Sequence, residues 1–257
     1  MARQNSASTD DTQARLDSLL CNLPNLLAET NIVKLSHAAL KSTFINQVAC
    51  GERHVLFLTS SGFVYSMGSN ELGQLGSPCD EVEQDDGSFT TITYQSEPAI
   101  IFGLLNQKVV DIACGANHNA ILCQQRAAPN TGHLPSHASS TLSLSKQQQV
   151  YVWGSNSSQQ LVLPASLPSL ETPFPVESLQ DISCDQIICG KQFTAIKTED
   201  HALYIFGMPK LVKQPVEQLE NDTILTVCPY SDHLIFVKDN KVHRVSPEGD
   251  RGTVSLG

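Results

Sequence analysis

Apolar positions along the chain fall in short paired runs divided by turn residues. Val55-Leu56-Phe57-Leu58 is followed by Ser60-Ser61-Gly62 and then by Phe63-Val64-Tyr65. Runs this short, rich in β-branched and aromatic residues and split by a Gly-containing turn, predict a β-hairpin. The same layout recurs. Cys50 to Gly68, Cys189 to Gly207 and Cys228 to Ser246 share one spacing, and a further copy runs from Cys114 to Gly154 with extra residues inside it. Aligned on the cysteine, Gly51, Gly115, Gly190 and Pro229 form one column, and His54, His118, Phe193 and Asp232 another. Tyr65, Tyr151, Tyr204 and His243 align near the far end, beside Met67, Trp153, Phe206 and Val245. Repetition at this scale means stacked copies of one supersecondary unit. The closing glycines are expected to take positive φ or to let two backbones approach closely.

A different period appears once. Leu16, Leu19, Leu20 and Leu23 lie at helical spacing after Asp10-Asp11-Thr12, and Pro24 is a stop. The expectation is a disordered start and an amphipathic helix over residues 1–30, the helix docking on the repeats. A helix that fits a partner's groove is the alternative. Lead-ins at 31–47, 98–111, 173–186 and 215–225 precede the cysteines, and Pro98, Pro175 and Pro215 mark a repeated turn there.

Two stretches break the pattern. Residues 77–96 hold Asp80, Glu81, Glu83, Asp85 and Asp86 with no Lys or Arg, and read as a solvated acidic loop. They lack the spaced Asp/Asn/Gly pattern of a calcium loop. Residues 124–148 are rich in Gln, Ser, Ala and Pro and read as a disordered surface insertion. His133 and His137 within it are weak ligand candidates.

Composition narrows the partners. A net charge of −10, from 16 Lys and Arg against 26 Asp and Glu, is not the footprint of a nucleic-acid binder or of a polybasic membrane contact. No run is long enough for a membrane span and no signal peptide is seen, so the expected compartment is cytoplasmic or nuclear. The eight cysteines include no Cys-x-x-Cys pair. Cys50, Cys114, Cys189 and Cys228 share a column, which predicts small buried residues on separate strands, with neither disulfide nor metal.

Enzyme chemistry is missing from the sequence. There is no phosphate loop, dinucleotide fingerprint, nucleophile elbow or zinc-protease motif. His54 and His118 sit in one repeat column with no nucleophile or carboxylate partner, which predicts structural histidines. The expectation is a protein that is not an enzyme, with no catalytic residue, cofactor or metal.

The repeat resembles the regulator of chromosome condensation (RCC1-type) repeat family. The residues that carry the resemblance are Cys50-Gly51-Glu52-Arg53-His54, Val64-Tyr65-Ser66-Met67-Gly68 and Asn70-Glu71-Leu72-Gly73-Gln74-Leu75-Gly76. Cys114-Gly115-Ala116-Asn117-His118, Val150-Tyr151-Val152-Trp153-Gly154 and Asn156 to Leu161 repeat them, with Gln159 in place of a glycine. The later two copies lose the Gly-Gln-Leu-Gly tail. The resemblance implies an all-β fold, a β-propeller of four-stranded blades. The family's propellers are commonly seven-bladed. Four repeats are visible here, so the propeller is short or incomplete, or the chain is a fragment, or divergent blades are hidden. The repeats are expected over residues 31–249, with a tail at 250–257.

The resemblance also bears on function. It implies a non-catalytic scaffold for protein partners, acting through loops on a rigid body. It implies, as the alternative, a guanine nucleotide exchange factor for a small GTPase, an activity known in some members. Asp80, Glu81, Glu83, Asp85 and Asp86 are the candidate partner-binding residues. Gln160-Leu161-Val162-Leu163-Pro164 and Thr172-Pro173-Phe174-Pro175 resemble a short member that partners a JmjC-type oxygenase on chromatin, a second alternative. Chromatin binding by basic elements, as in the founding type, is not expected of so acidic a chain.

Overall fold

The computed structural model describes residues 40–41, 43–124, 148–179, 182–207, 217–218, 225–227, 233–238, 241–246 and 251–255. The expected N-terminal helix and residues 125–147 of the insertion lie outside the described residues.

β1 (Ile45–Cys50), β2 (His54–Thr59) and β3 (Val64–Ser69) lie side by side. β4 (Asp80–Glu83) and β5 (Phe89–Ile92) form a separate hairpin, and β6 (Tyr94–Ile100) returns to β3. β7 (Lys108–Cys114), β8 (His118–Gln124), β9 (Gln148–Ser155) and β10 (Ser169–Pro175) form the second four-stranded sheet. The third contains β11 (Cys184–Cys189), β12 (Thr194–Thr198), β13 (Ala202–Phe206) and β14 (Glu217–Gln218). β15 (Leu225–Val227), β16 (Leu234–Lys238), β17 (Lys241–Val245) and β18 (Arg251–Ser255) make the fourth. Each sheet is an antiparallel meander that begins at a first strand and steps outward. First strands β1, β7, β11 and β15 touch in succession, as successive propeller blades do. The stretch set apart as a tail therefore includes β18, the last strand of blade four.

Core residues sit between blades. Ile121 and Cys123 of β8 pack with Leu56, Leu58 and Val64 of blade one. Ala120 and Leu122 pack instead with Ile187 and Ile196 of blade three. Alternate residues of a strand face opposite sides of its sheet. A strand with a blade on each side is therefore apolar throughout, which is why these runs show no apolar/polar alternation.

The corner glycine meets both expectations. Gly68 has φ of +114°, and a Cβ there would stand 2.3 Å from the Arg53 carbonyl oxygen. The turn at Ser60-Ser61-Gly62 also forms, with the Gly62 amide donating to the Thr59 carbonyl.

Three expectations change. Pro98 lies within β6 and Pro175 ends β10, so these two prolines mark an outermost strand and not a turn, while Pro215 lies outside the described residues. An outer strand bonds on one side only, so the missing N–H is tolerated there. The cysteine column is graded: Cys189 is buried, Cys114 half-buried and Cys50 exposed. Cys114 Sγ donates to the Ala49 carbonyl and Cys189 Sγ to that of Ala113, each on the preceding first strand. Among the described residues no strand precedes β1, and Val48 is 52 % exposed where its equivalents Ile112 and Ile187 are 2 % and 4 %. Third, residues 77–96 are not a loop. They carry the β4–β5 hairpin.

Candidate functional site: blade joints and the acidic hairpin

The joints between blades one and two and between blades two and three are built alike. His54 Nε2 lies 2.8 Å from Asn119 Oδ1 of the next blade, and His118 Nε2 lies 3.2 Å from Thr194 Oγ1 of the blade after. Asn119 Nδ2 donates back to the Gln74 carbonyl at 2.8 Å, and Thr194 Oγ1 donates to that of Gln160 at 2.8 Å. Gln74 and Gln160 are the glutamines of the two Gln-Leu tails. Trp153 Nε1 also donates to the Gln74 carbonyl, at 3.0 Å. Both histidines are fully buried, and Phe193 takes the place in blade three. The Gly51, Gly115 and Gly190 column serves this ring. A Cβ on Gly51 would lie 2.1 Å from His54 Cε1, and one on Gly190 2.0 Å from Phe193 Cε1.

The tails are held alike in both blades. Asn70 Oδ1 accepts from the Leu75 amide and Asn156 Oδ1 from that of Leu161. Gln159 and Val162 both have φ of +61°, close to the +77° of Gly73 and the +75° of Gly76 that they replace. The corner that drifted in sequence is thus kept in conformation, at a cost in backbone strain. Asp111 ties the first strands of three blades together. Its Oδ1 accepts from Gln47 Nε2 at 2.9 Å, and its Oδ2 from the Ile187 amide at 3.3 Å.

Burial holds the joint histidines neutral. His118 is pushed down to about 3 by burial, and His54 lies below the ordinary range for the same reason, partly offset by its bond to Asn119. The unfolded chain binds protons at these sites from about pH 6.5 downward. Folding stability is therefore fully present above that pH and is lost as pH falls toward 3. At pH 5 His118 alone should remove about 2 kcal/mol relative to pH 7.5. Urea denaturation of wild type and His118→Phe at both pH values tests this. The variant, which copies Phe193, should lose much of the acid sensitivity, and equal pH dependence in the two proteins would contradict the assignment. Burial also raises the thiols of the buried cysteines. Cys123 and Cys189 are pushed up to about 12 and Cys184 to about 11, so these thiols are inert packing groups. Among the described residues, no group of three or more His, Cys, Asp or Glu side chains could hold a metal ion. No helix among them is long and apolar enough to cross a membrane.

The hairpin leaves blade one at the Asn70 corner. Asn70 Nδ2 donates to the Ser77 carbonyl at 2.8 Å, and the Asn70 amide to that of Thr93 at 2.6 Å, so one buried residue grips both legs. At the tip the Gly87 amide donates to the Gln84 carbonyl and Gly87 has φ of +80°. Asp86 Oδ1 accepts from Ser88 Oγ at 2.6 Å and from the Ser88 amide at 2.9 Å, which lowers its carboxyl below the usual range. The register sets Asp80 opposite Ile92, Glu81 opposite Thr91, Val82 opposite Thr90 and Glu83 opposite Phe89. Of the expected partner residues, Asp80, Glu81 and Glu83 are thus on β4, and Asp85 and Asp86 at the tip. All are exposed, and so are Val82, Phe89, Ile92 and Tyr94. The apolar residues are the part that sequence reading missed. Asp86-Gly87 followed by Phe89-Thr90-Thr91-Ile92 is the hairpin signal that would have found them.

The regulator of chromosome condensation (RCC1) repeat family matches residues 61–122 and 147–196, and a second model of the same repeat matches 45–74. The chain belongs to the regulator of chromosome condensation repeat family. Human E3 ubiquitin-protein ligase HERC2 is 24% identical over 230 residues, covering 84% of this chain and 4% of that protein. Human probable E3 ubiquitin-protein ligase HERC6 is 30% identical over 152 residues, 59% of this chain and 12% of that one. This chain therefore spans a small fraction of those relatives. Among solved structures, human WBSCR16 aligns with a TM-score of 0.56 at 18% identity, covering 85% of this chain and 51% of that one. Prp20p from Saccharomyces cerevisiae gives 0.54 at 19%, covering 82% and 49%. The fold is the RCC1-repeat β-propeller, and its four described four-stranded sheets are blades of it.

Proposed function

We propose that this RCC1-repeat chain is a non-catalytic scaffold of the cytosol or nucleus whose blades hold the 80–92 hairpin out toward a protein partner. One observation carries the reading. Asn70 and Asn156 organise equivalent corners, yet blade two closes its corner through the Pro164, Leu167 and Pro168 carbonyls with no hairpin. The fold does not need residues 80–92, and their large apolar side chains serve no core. Apolar residues at such a place are typical of protein contact surfaces. Protein partners fit the family as well: the yeast relative is described as bound to Kap60, and as binding Gsp1p and histones.

The test is a pull-down from lysate, read by mass spectrometry, with wild type and with residues 80–92 replaced by a Gly-Ser turn. Each is run with and without EDTA, which empties small GTPases of nucleotide. At least one protein should be lost more than tenfold with the hairpin. Identical recoveries from the two proteins would remove the hairpin as the partner site. A GTPase enriched only with EDTA would favour regulation of a small GTPase, the alternative that the family implies. A JmjC-type oxygenase among the hairpin-dependent proteins would favour the chromatin reading.

A further inference from the structure

The hairpin is unusual in having no covered side. Two strands alone are marginal in water, and this pair buries none of its residues against the blades. Asn70 and the Gln84–Ser88 turn fix its base and tip, so what lies between is a short, pre-shaped ladder. Its two faces differ. Val82 and Thr90 share one face with Asp80 and Ile92, while Glu81, Thr91, Glu83 and Phe89 share the other. Among the described residues no strand pairs with the outer edge of β4. An unpaired edge flanked by open apolar side chains is a template for an added strand.

Resting on the proposed role of the hairpin in partner contact, we propose that β4 takes an extended basic segment of a partner protein as a third strand. Charge selects the occupant. Residues 77–96 carry five carboxylates from Asp80 to Asp86 and no cation. Glu81 and Glu83 stand two residues apart on one face, about 7 Å along the strand. An added strand presents its own alternate residues at that same interval. Arg or Lys at those positions pairs with Glu81 and Glu83. The intervening residues then lie beside Val82 on the opposite face, where β-branched side chains fit. Main-chain bonds to the β4 edge supply affinity, and the alternating charge supplies direction and choice.

The probe is a fluorescein-labelled peptide of alternating Arg and Val, seven residues long, titrated with the full chain and read by anisotropy. Three comparisons are made. The first is a Glu-Val peptide of equal length. The second is the Arg-Val peptide N-methylated at alternate amides, which keeps charge but cannot join a ladder. The third is the Glu81→Lys/Glu83→Lys protein, whose exposed substitutions should leave the thermal midpoint unchanged. Each comparison should bind at least tenfold more weakly than the parent pair. No binding of the parent peptide, or equal binding of the Glu-Val peptide or the charge-reversed protein, overturns the proposal. Equal binding of the N-methylated peptide overturns strand addition. If the peptide fails while the lysate experiment still loses a protein with the hairpin, the partner site stands and only its chemistry is wrong. If the peptide binds but no protein depends on the hairpin, the hairpin fails as the partner site of the scaffold instead.

Discussion

Gly68→Val should lower folding stability by about 3 kcal/mol, the sum of left-handed backbone strain and an overpacked corner. The glycine has φ of +114°, and its α-carbon faces the Arg53 carbonyl and His54 Cα, with a Cβ reaching to 2.3 Å and 2.7 Å of them. Those are backbone atoms at the start of the adjacent strand β2 and just before it, so no side chain can swing away to relieve the contact. The same close approach carries the Ser69 amide to the Arg53 carbonyl at 2.8 Å, a bond the substitution would stretch. Urea denaturation followed by the fluorescence of Trp153, the single tryptophan, reports the change. Gly68→Ala should fall between the two proteins. A midpoint for Gly68→Val equal to wild type would mean that the corner is not a tight crossing of two backbones.

Trp153→Ala should cost about 4 kcal/mol, within the range for emptying a buried aromatic site. The ring is completely enclosed in the core between blades one and two. It lies against Gly76, whose Cβ would stand 3.0 Å from Nε1, and donates to the Gln74 carbonyl. That carbonyl keeps its bond from Asn119, so the loss should come mainly from the cavity and less from an unsatisfied acceptor. Trp153→Phe, which copies Phe206 of the third repeat, should recover more than half of it. Far-UV circular dichroism follows unfolding, since both variants lack the fluorophore. A loss below about 1 kcal/mol for the alanine variant would show that the blade-one tail is not pinned by the ring.

Much of the fold was legible because the repeat supplies its own controls. Four copies of a Cys-to-corner span set the strands, and the column of Gly68, Gly154 and Gly207 set the corners. Each has positive φ in the structure. The structural reading of His54 and His118 followed from their shared column. Other features were not legible. Asp80 to Asp86 looked like a loop because its carboxylates outweighed a lone Val82, although the Asp-Gly turn and the Phe89-to-Ile92 run were there to be seen. The Gly51 column has no positive φ to betray it. Its reason is a ring that folds back over the backbone, and this appears only once His54 is turned toward Asn119.

The sequence by itself determined the repeat, the strands and the corners, because strand propensity, turn chemistry and glycine's conformational range are local properties of the chain. Tertiary structure alone decided which polar groups meet. His54 and Asn119 are 65 residues apart, and His118 and Thr194 are 76 apart. Tertiary structure also left Val48 open while it closed over Ile112 and Ile187, three residues in equivalent positions with similar side chains. Burial and hydrogen bonding across blades depend on which sheet stacks beside which, and short-range pattern carries no record of that.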